Sequence, residues 1–237
     1  MSKVVLVTGG SGTLGRAIVR RFRADDCPVA FTFNTNEAPA RALEAETGAA
    51  PFRADLTDRR QVQDAVRQVT ERFGQIDILV NNVGFTQVMP FALIEEEDWD
   101  TVMAANLKTM FLVTREVVRG MIARKSGVIV NIGSLAGHRL LEVPVHYATA
   151  KAGVSGFTTS LAKELSRYNI RVNSVVPGLL EEGVGRMVPE RELAEYFRYC
   201  TAGRAGKMHE VAEVVAFVAS EKAQYINAQN IFVDGGI

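Results

Sequence analysis

Short runs of β-branched and apolar residues recur along the chain between longer segments of helical period, and this alternation restricts the fold more than any other feature. The runs are Val4–Val7, Val29–Phe33, Ile76–Asn81, Val128–Ile132, Arg171–Val176 and Asn230–Val233. They are apolar throughout and do not alternate with polar residues, which suits strands of a parallel sheet covered on both faces. Between them the spacing predicts helices over Leu14–Ala24, Ala38–Thr47, Arg59–Phe73, Trp99–Lys125, Tyr147–Tyr168 and Glu210–Ser220. In the last of these, Val211, Val214, Val215 and Val218 fall at a helical period. Strands alternating with such helices imply right-handed crossovers and an α/β, Rossmann-type doubly wound sheet of about seven strands.

A chain of 237 residues can bury roughly 70–75% of its unfolded surface as one domain. No repeat or Pro/Gly/Ser linker divides it, so one domain spanning 1–237 is expected. The least patterned stretch, residues 179–206, reads as a mobile insertion near the strand ends, a natural position for a substrate lid. Lys plus Arg and Asp plus Glu number 27 each, so no net field argues for nucleic acid or an anionic membrane. There is no export signal and no run of about 18 apolar residues, and a cytoplasmic location is expected. Cys27 and Cys200 are too few for a disulfide framework. His138, His146 and His209 are too scattered for a metal site.

The stretch VLVTGGSGTLGRA, residues 5–17, carries glycines in two registers. Gly10-x-Gly12-x-x-Gly15 is a dinucleotide fingerprint in its required context, after a strand and opening a helix. A second register anchors on Thr8-Gly9 and meets Thr13 where a further glycine would stand. In either, glycines let the backbone approach a pyrophosphate, and helix N-terminal amides face the anion. The second strand then ends in Asn34-Thr35-Asn36, with no carboxylate until Glu37. A carboxylate there would bind the ribose 2′-hydroxyl of NAD and repel a 2′-phosphate, so NADPH (NADP) is favoured over NADH. Arg16 is either a phosphate contact or a solvated helix residue. Asp55, in RADLTD, is either an adenine contact or a turn-capping residue.

Tyr147 and Lys151 are four apart on a predicted helix and share one face. A phenol titrates near 10, too high for acid catalysis at neutral pH unless its phenolate is stabilised, and a neighbouring ammonium does so. The pair suits proton transfer to a carbonyl that receives hydride. Ser134 stands just beyond the fifth strand, on the edge where open α/β sheets place ligands.

With these residues assembled, the chain resembles the short-chain dehydrogenase/reductase family almost end to end, in its compact single-domain branch. Thr8-Gly9, Ser11, Gly12, Leu14 and Gly15 resemble its cofactor loop, with Thr13 replacing a glycine. Asp55-Leu56 resembles its adenine contact, and Asn81-Asn82-Val83-Gly84 its "NNAG" motif, with Val83 for alanine. Pro177-Gly178 and Val233-Asp234-Gly235-Gly236 match later landmarks.

The resemblance implies a catalytic set of Asn106, Ser134, Tyr147 and Lys151. Tyr147 would be the acid/base and Ser134 would position the carbonyl. Lys151 would bind the nicotinamide ribose and lower the Tyr147 pKa. Asn106 would sit at a helix irregularity and hold a water that relays protons to Lys151. It also implies a homotetramer, or a homodimer, packed through the Trp99–Lys125 and Tyr147–Tyr168 helices and the C-terminal strand. Phe111, Val113, Val117, Phe157 and Leu161 are compatible with that packing. Enoyl reductases of the superfamily need tyrosine seven residues before the lysine, where this chain has Pro144.

The ending from Ala202 onward is most similar to 3-oxoacyl-acyl-carrier-protein reductases. The implied activity is NADPH-dependent reduction of a 3-oxoacyl thioester, on acyl carrier protein or CoA, in fatty-acid or polyketide-like synthesis. A basic rim of Arg119, Arg124, Lys125, Arg139, Arg167 and Arg171 would steer an acidic carrier. Val128 stands where those enzymes usually have arginine, and Glu182 where a threonine would hold the nicotinamide carboxamide. A reductase of a free small ketone, sugar or cyclic alcohol, and a non-catalytic nucleotide-binding regulator, are the alternatives.

Overall fold

A computed structural model describes residues 2–183 and 190–237. Seven strands form one parallel sheet in the order β3-β2-β1-β4-β5-β6-β7. They are β1 (Val5–Val7), β2 (Val29–Phe33), β3 (Ala50–Arg53), β4 (Ile78–Asn81), β5 (Gly127–Ile132), β6 (Ile170–Pro177) and β7 (Asn230–Val233). The helices are α1 (Thr13–Ala24), α2 (Glu37–Thr47), α3 (Arg59–Phe73), α4 (Glu96–Met103), α5 (Thr109–Arg124), α6 (Val145–Leu165), α7 (Glu190–Tyr199) and α8 (Met208–Ala219).

Uniformly apolar strands are what two buried faces require. Val5 and Val7, Phe31 and Phe33, Ile78 and Val80, and Val128 and Val130 enter the core on one face with residues of α1, α2 and α8. Leu6, Ala30, Leu79 and Ile129 point the other way, into a second core with residues of α3, α5 and α6. Chain order reverses direction between β1 and β4. There the loops at the strand C-termini part, and the crevice between them is where such sheets bind ligands.

Two departures from the sequence reading bear on the site. The expected Trp99–Lys125 helix is interrupted: a π turn, Ala104–Lys108, separates α4 from α5. Hydrophobic period does not register one extra residue per turn. The expected insertion at 179–206 contains α7 and also residues 184–189, which lie outside the described residues. Val113 and Val117 are buried in the chain's own core, whereas Phe111 remains exposed. Among the described residues no helix is long and apolar enough to cross a membrane.

Candidate active site

A cleft of about 1380 Å³ follows the C-terminal edge of the sheet. Every residue expected at the cofactor lines it: Gly9, Ser11, Gly12, Thr13, Leu14, Gly15, Asn34, Asp55, Leu56, Asn82, Val83, Gly84, Tyr147, Lys151, Pro177 and Gly178. Ser134 lines it as well, and Asn106 stands behind the wall.

The glycine loop shows which register matters. Gly9 has φ +63°, a left-handed backbone that favours glycine. A Cβ at Gly15 would stand 2.2 Å from the Gly9 carbonyl oxygen, so β1 and α1 approach each other only through hydrogen there. A Cβ at Gly10 would strike Phe31 at 2.5 Å, so this glycine serves packing on β2. Thr13 opens α1 in ordinary helical backbone, and its hydroxyl faces Gly183, where a Cβ would lie 3.3 Å away. Asn82 rivets the end of β4 to the loop, its Nδ2 donating to the carbonyls of Thr8 at 3.0 Å and Gly9 at 3.2 Å.

The catalytic candidates converge from three elements. Lys151 is buried on α6 and donates to the Ile132 carbonyl at the end of β5, 3.1 Å away. Tyr147 lies one turn earlier, its ring centroid 5.8 Å from Lys151 Nζ. Ser134, just past β5, lines the same wall, its Oγ accepting from the Ala136 N–H at 3.2 Å. Burial pushes the Tyr147 phenol above its ordinary value, with Ser134 opposing. Burial also pulls Lys151 down, to about 8. Burial thus acts against the acidification of Tyr147 expected from Lys151, while Lys151 itself, at about 8, still carries its ammonium at neutral pH.

Asn106 does occupy a helix irregularity, the π turn, but its side chain is committed to backbone. Its Nδ2 donates to the carbonyls of Phe85 at 2.7 Å and Val102 at 2.8 Å. A Cβ at Gly84 would lie 3.2 Å from both Asn106 Oδ1 and Lys151 Nζ. Asn106 thus fixes the strand end against which the lysine rests.

A family model described as "Enoyl-(Acyl carrier protein) reductase" matches residues 10–237. The 3-oxoacyl-[acyl-carrier-protein] reductase FabG of Thermotoga maritima is 38% identical over 239 residues, covering 99% of this chain and 97% of that protein. The enzyme of the same name from Escherichia coli K12 is 35% identical, covering 99% and 97%. The acetoacetyl-CoA reductase of Shinella zoogloeoides is 36% identical, covering 100% and 98%. A solved structure titled "Crystal structure of gox2181" superposes with a TM-score of 0.93 at 32% identity, covering 99% of this chain and 95% of that one. The chain belongs to the short-chain dehydrogenase/reductase family. It is an NAD(P)-dependent oxidoreductase.

The residues of this reductase fit a nicotinamide dinucleotide. Gly12 caps α1 without a side-chain bond, and no acidic residue sits in the first turn. The amides there remain free for an anion. Asn34, Thr35 and Asn36 are exposed at the end of β2 and line the cleft. Arg16 turns back to donate to the Ser11 carbonyl at 3.0 Å and so braces the loop. One oxygen of Asp55 serves its own turn, accepting from Thr57 N at 2.9 Å and Thr57 Oγ1 at 2.7 Å. The capping reading of Asp55 therefore holds, and the residue also faces the cleft.

Most of the basic residues expected around the cleft are elsewhere in this reductase. Arg124 lies beside Asp77 and donates to the Ile76 carbonyl. Arg171 donates to the carbonyls of Val218, Ser220 and Ile226. Both stand where strands begin, as do Lys125 and Arg167, on the edge opposite the cleft. Arg119 pairs with Glu116. Arg139 alone of the six lines the cleft, among Glu142, Glu182, Glu192 and Glu195.

His138 bonds Ser155 at 2.8 Å and meets Phe232 edge-on, a packing role. His146 is buried and accepts the Tyr147 N–H at 3.0 Å. Sequence reasoning missed α7, whose Glu192, Glu195, Tyr196 and Tyr199 form one helical face along the cleft. That spacing, at i, i+3, i+4 and i+7, was the available signal.

Proposed function

We propose that the chain reduces the keto group of a 3-oxoacyl thioester to a hydroxyl, using NADPH. The observation that carries this reading is the single wall shared by the Tyr147 phenol, Ser134 and Lys151. Ser134 orients the keto oxygen and Tyr147 donates the proton that this oxygen takes up. The phenol is protonated at neutral pH, and the Lys151 ammonium, 5.8 Å from its ring centroid, stabilises the phenolate left when the proton is given. Lys151, fixed by Ile132 and Gly84, offers its ammonium to the ribose hydroxyls, and Asn106 keeps that support in place. When bound, the nicotinamide supplies the hydride.

The tyrosine four residues before Lys151, with Pro144 seven before it, favours carbonyl over double-bond reduction, although the matching family model is described as an enoyl reductase. The names of the FabG and acetoacetyl-CoA reductase relatives support the thioester. Hydroxyl and amide groups at the end of β2 support NADPH. The exposed Phe111, on α5, and Phe232, on β7, support self-association through the faces that the family resemblance implies.

One observation favours a second reading, a free small ketone: the carboxylates of Glu142, Glu192 and Glu195 line the mouth of the cleft, where an acidic carrier would be repelled. Initial rates with NADPH and NADH test both readings, using an acetoacetyl group on carrier protein, on CoA and on N-acetylcysteamine, and a panel of free ketones. NADPH oxidation with the thioesters is expected. Turnover restricted to free ketones overturns the first reading.

A further inference from the structure

Tyr196, on the inner face of α7, reaches across to the turn that follows β6 and accepts the Leu179 N–H at 3.0 Å. Gly178 admits this approach, because a Cβ there would stand 2.8 Å from the Tyr196 hydroxyl and 2.7 Å from Asp234 Cα. The rest of the turn is pinned from other directions. Gly178 N–H donates to the Val233 carbonyl at 2.9 Å, Gly206 N–H to that of Leu179 at 2.9 Å, and Glu181 N–H to that of Gly206 at 3.0 Å. The Leu179 N–H takes its partner from the helix instead.

The reach of Tyr196 is fixed from behind. Just past α7, the N–H groups of Thr201 and Ala202 donate to the carbonyls of Gly236 and Gly235, at 3.2 and 2.9 Å, joining the helix end to the chain's last residues. A phenol offers both an acceptor and one donor. Leu179 uses the acceptor, and the O–H finds no acceptor among the described residues. Burial holds the group above the ordinary phenol value, so that hydrogen is retained at neutral and mildly alkaline pH. Tyr196 lines the cleft together with Pro177, Gly178 and Leu179, and a free donor at such a wall points to an acceptor on the ligand.

We propose that Tyr196 is a ligand-positioning residue, whose hydroxyl donates to a carbonyl-type oxygen of the bound molecule while holding Leu179 with its acceptor side. One phenol then ties the ligand, the turn after β6 and helix α7 together. The proposal rests on the reading of the cleft as a dinucleotide and ketone site. The oxygen belongs either to an amide of the cofactor or to a carbonyl of the substrate, and the arms of the test separate the two.

Tyr196→Phe keeps the ring and deletes both hydrogen bonds. Four quantities are compared with wild type: hydrogen exchange at the Leu179 amide, the NADPH Kd by fluorescence without substrate, KM and kcat for an acetoacetyl thioester, and Tm. Expected are faster exchange at Leu179, a kcat within about twofold, and a three- to tenfold loss in one affinity, the range of one neutral hydrogen bond. A rise in Kd assigns the acceptor to the cofactor, and a rise in KM alone assigns it to the substrate. If Kd and KM both stay within twofold, the proposal is overturned whatever the exchange rate. A wild-type chain that binds neither NADPH nor NADH overturns the reading of the cleft itself, and this proposal with it.

Discussion

The Nζ of Lys151 lies 5.8 Å from the centroid of the Tyr147 ring, the lysine buried and the tyrosine half-buried in one wall of the cleft. Two opposing effects meet there. The short separation stabilises opposite charges, and desolvation disfavours any charge. Burial lowers Lys151 to about 8, which leaves its ammonium in place at neutral pH, and raises the phenol, which keeps its proton.

Removing that proton tests its role. Tyr147→Phe retains the ring beside Lys151 and deletes only the hydroxyl. A fall in kcat of about 10²–10⁴, the usual range for a general acid, is expected. NADPH affinity measured by fluorescence should stay within about twofold, since the glycine loop is untouched. Turnover at the wild-type rate would remove Tyr147 from the mechanism.

Burial of Lys151 makes stability depend on pH in a defined direction. Its folded value is about 8 against an ordinary 10.5, so between these values the unfolded chain binds more protons. Stability contributed through this residue rises with pH across that window. Below pH 8 the fold carries the full cost of a buried ammonium, roughly 3 kcal/mol. Tyr147, raised by burial, acts oppositely and only above its ordinary value near 10. Urea unfolding at pH 7.5 and 9.5 should show the wild type gaining about 2 kcal/mol relative to Lys151→Met. Equal pH responses would mean that the lysine reaches solvent.

What the sequence disclosed was local. Gly15 could be read because strand, glycine and helix follow one another directly, and Tyr147 and Lys151 because one helical turn separates them. The third strand carries Pro51 and Arg53 and breaks the apolar pattern, which an edge position tolerates. Tyr196 meets Leu179 only once α7 folds back over the sheet, and no spacing announces that. Arg124 and Arg171 read as surface charge, yet each ends on backbone carbonyls at the far edge. The acidity of Tyr147 is of the same kind: spacing reports the neighbour, and only the fold reports how much water has been removed.

The glycine loop separates two substitutions that look alike on paper. A methyl at Gly15 would press on the Gly9 carbonyl oxygen at 2.2 Å and on Gly10 Cα at 2.8 Å. Both are backbone, so the turn itself must open. A methyl at Gly12 would meet only the Gly9 oxygen, at 3.3 Å, in a backbone of φ −73° and ψ 169° that alanine adopts readily. Gly15→Ala should weaken NADPH binding by more than about 100-fold or prevent folding, and Gly12→Ala should weaken it by less than about tenfold. Fluorescence titration with a Tm for each variant checks the contrast, which equal losses would contradict.

Ionic strength tests how an acyl group reaches the cleft. Glu142, Glu192 and Glu195 line the mouth, while Arg124 and Arg171 are spent on backbone at the opposite edge. An acidic carrier would therefore approach against its own sign of charge. Salt screens such repulsion over roughly 8–10 Å at 0.10–0.15 M. Raising NaCl from 50 to 500 mM should increase kcat/KM for acetoacetyl carrier protein by about three- to tenfold, and should leave the N-acetylcysteamine thioester unchanged. The double variant E192K/E195K should abolish or reverse that dependence, because it replaces two carboxylates on the α7 face with ammonium groups. If the carrier-borne substrate instead loses kcat/KM as salt rises in the wild type, attraction dominates the encounter. The carrier would then approach over Arg139 or another cationic surface, away from the carboxylates of α7.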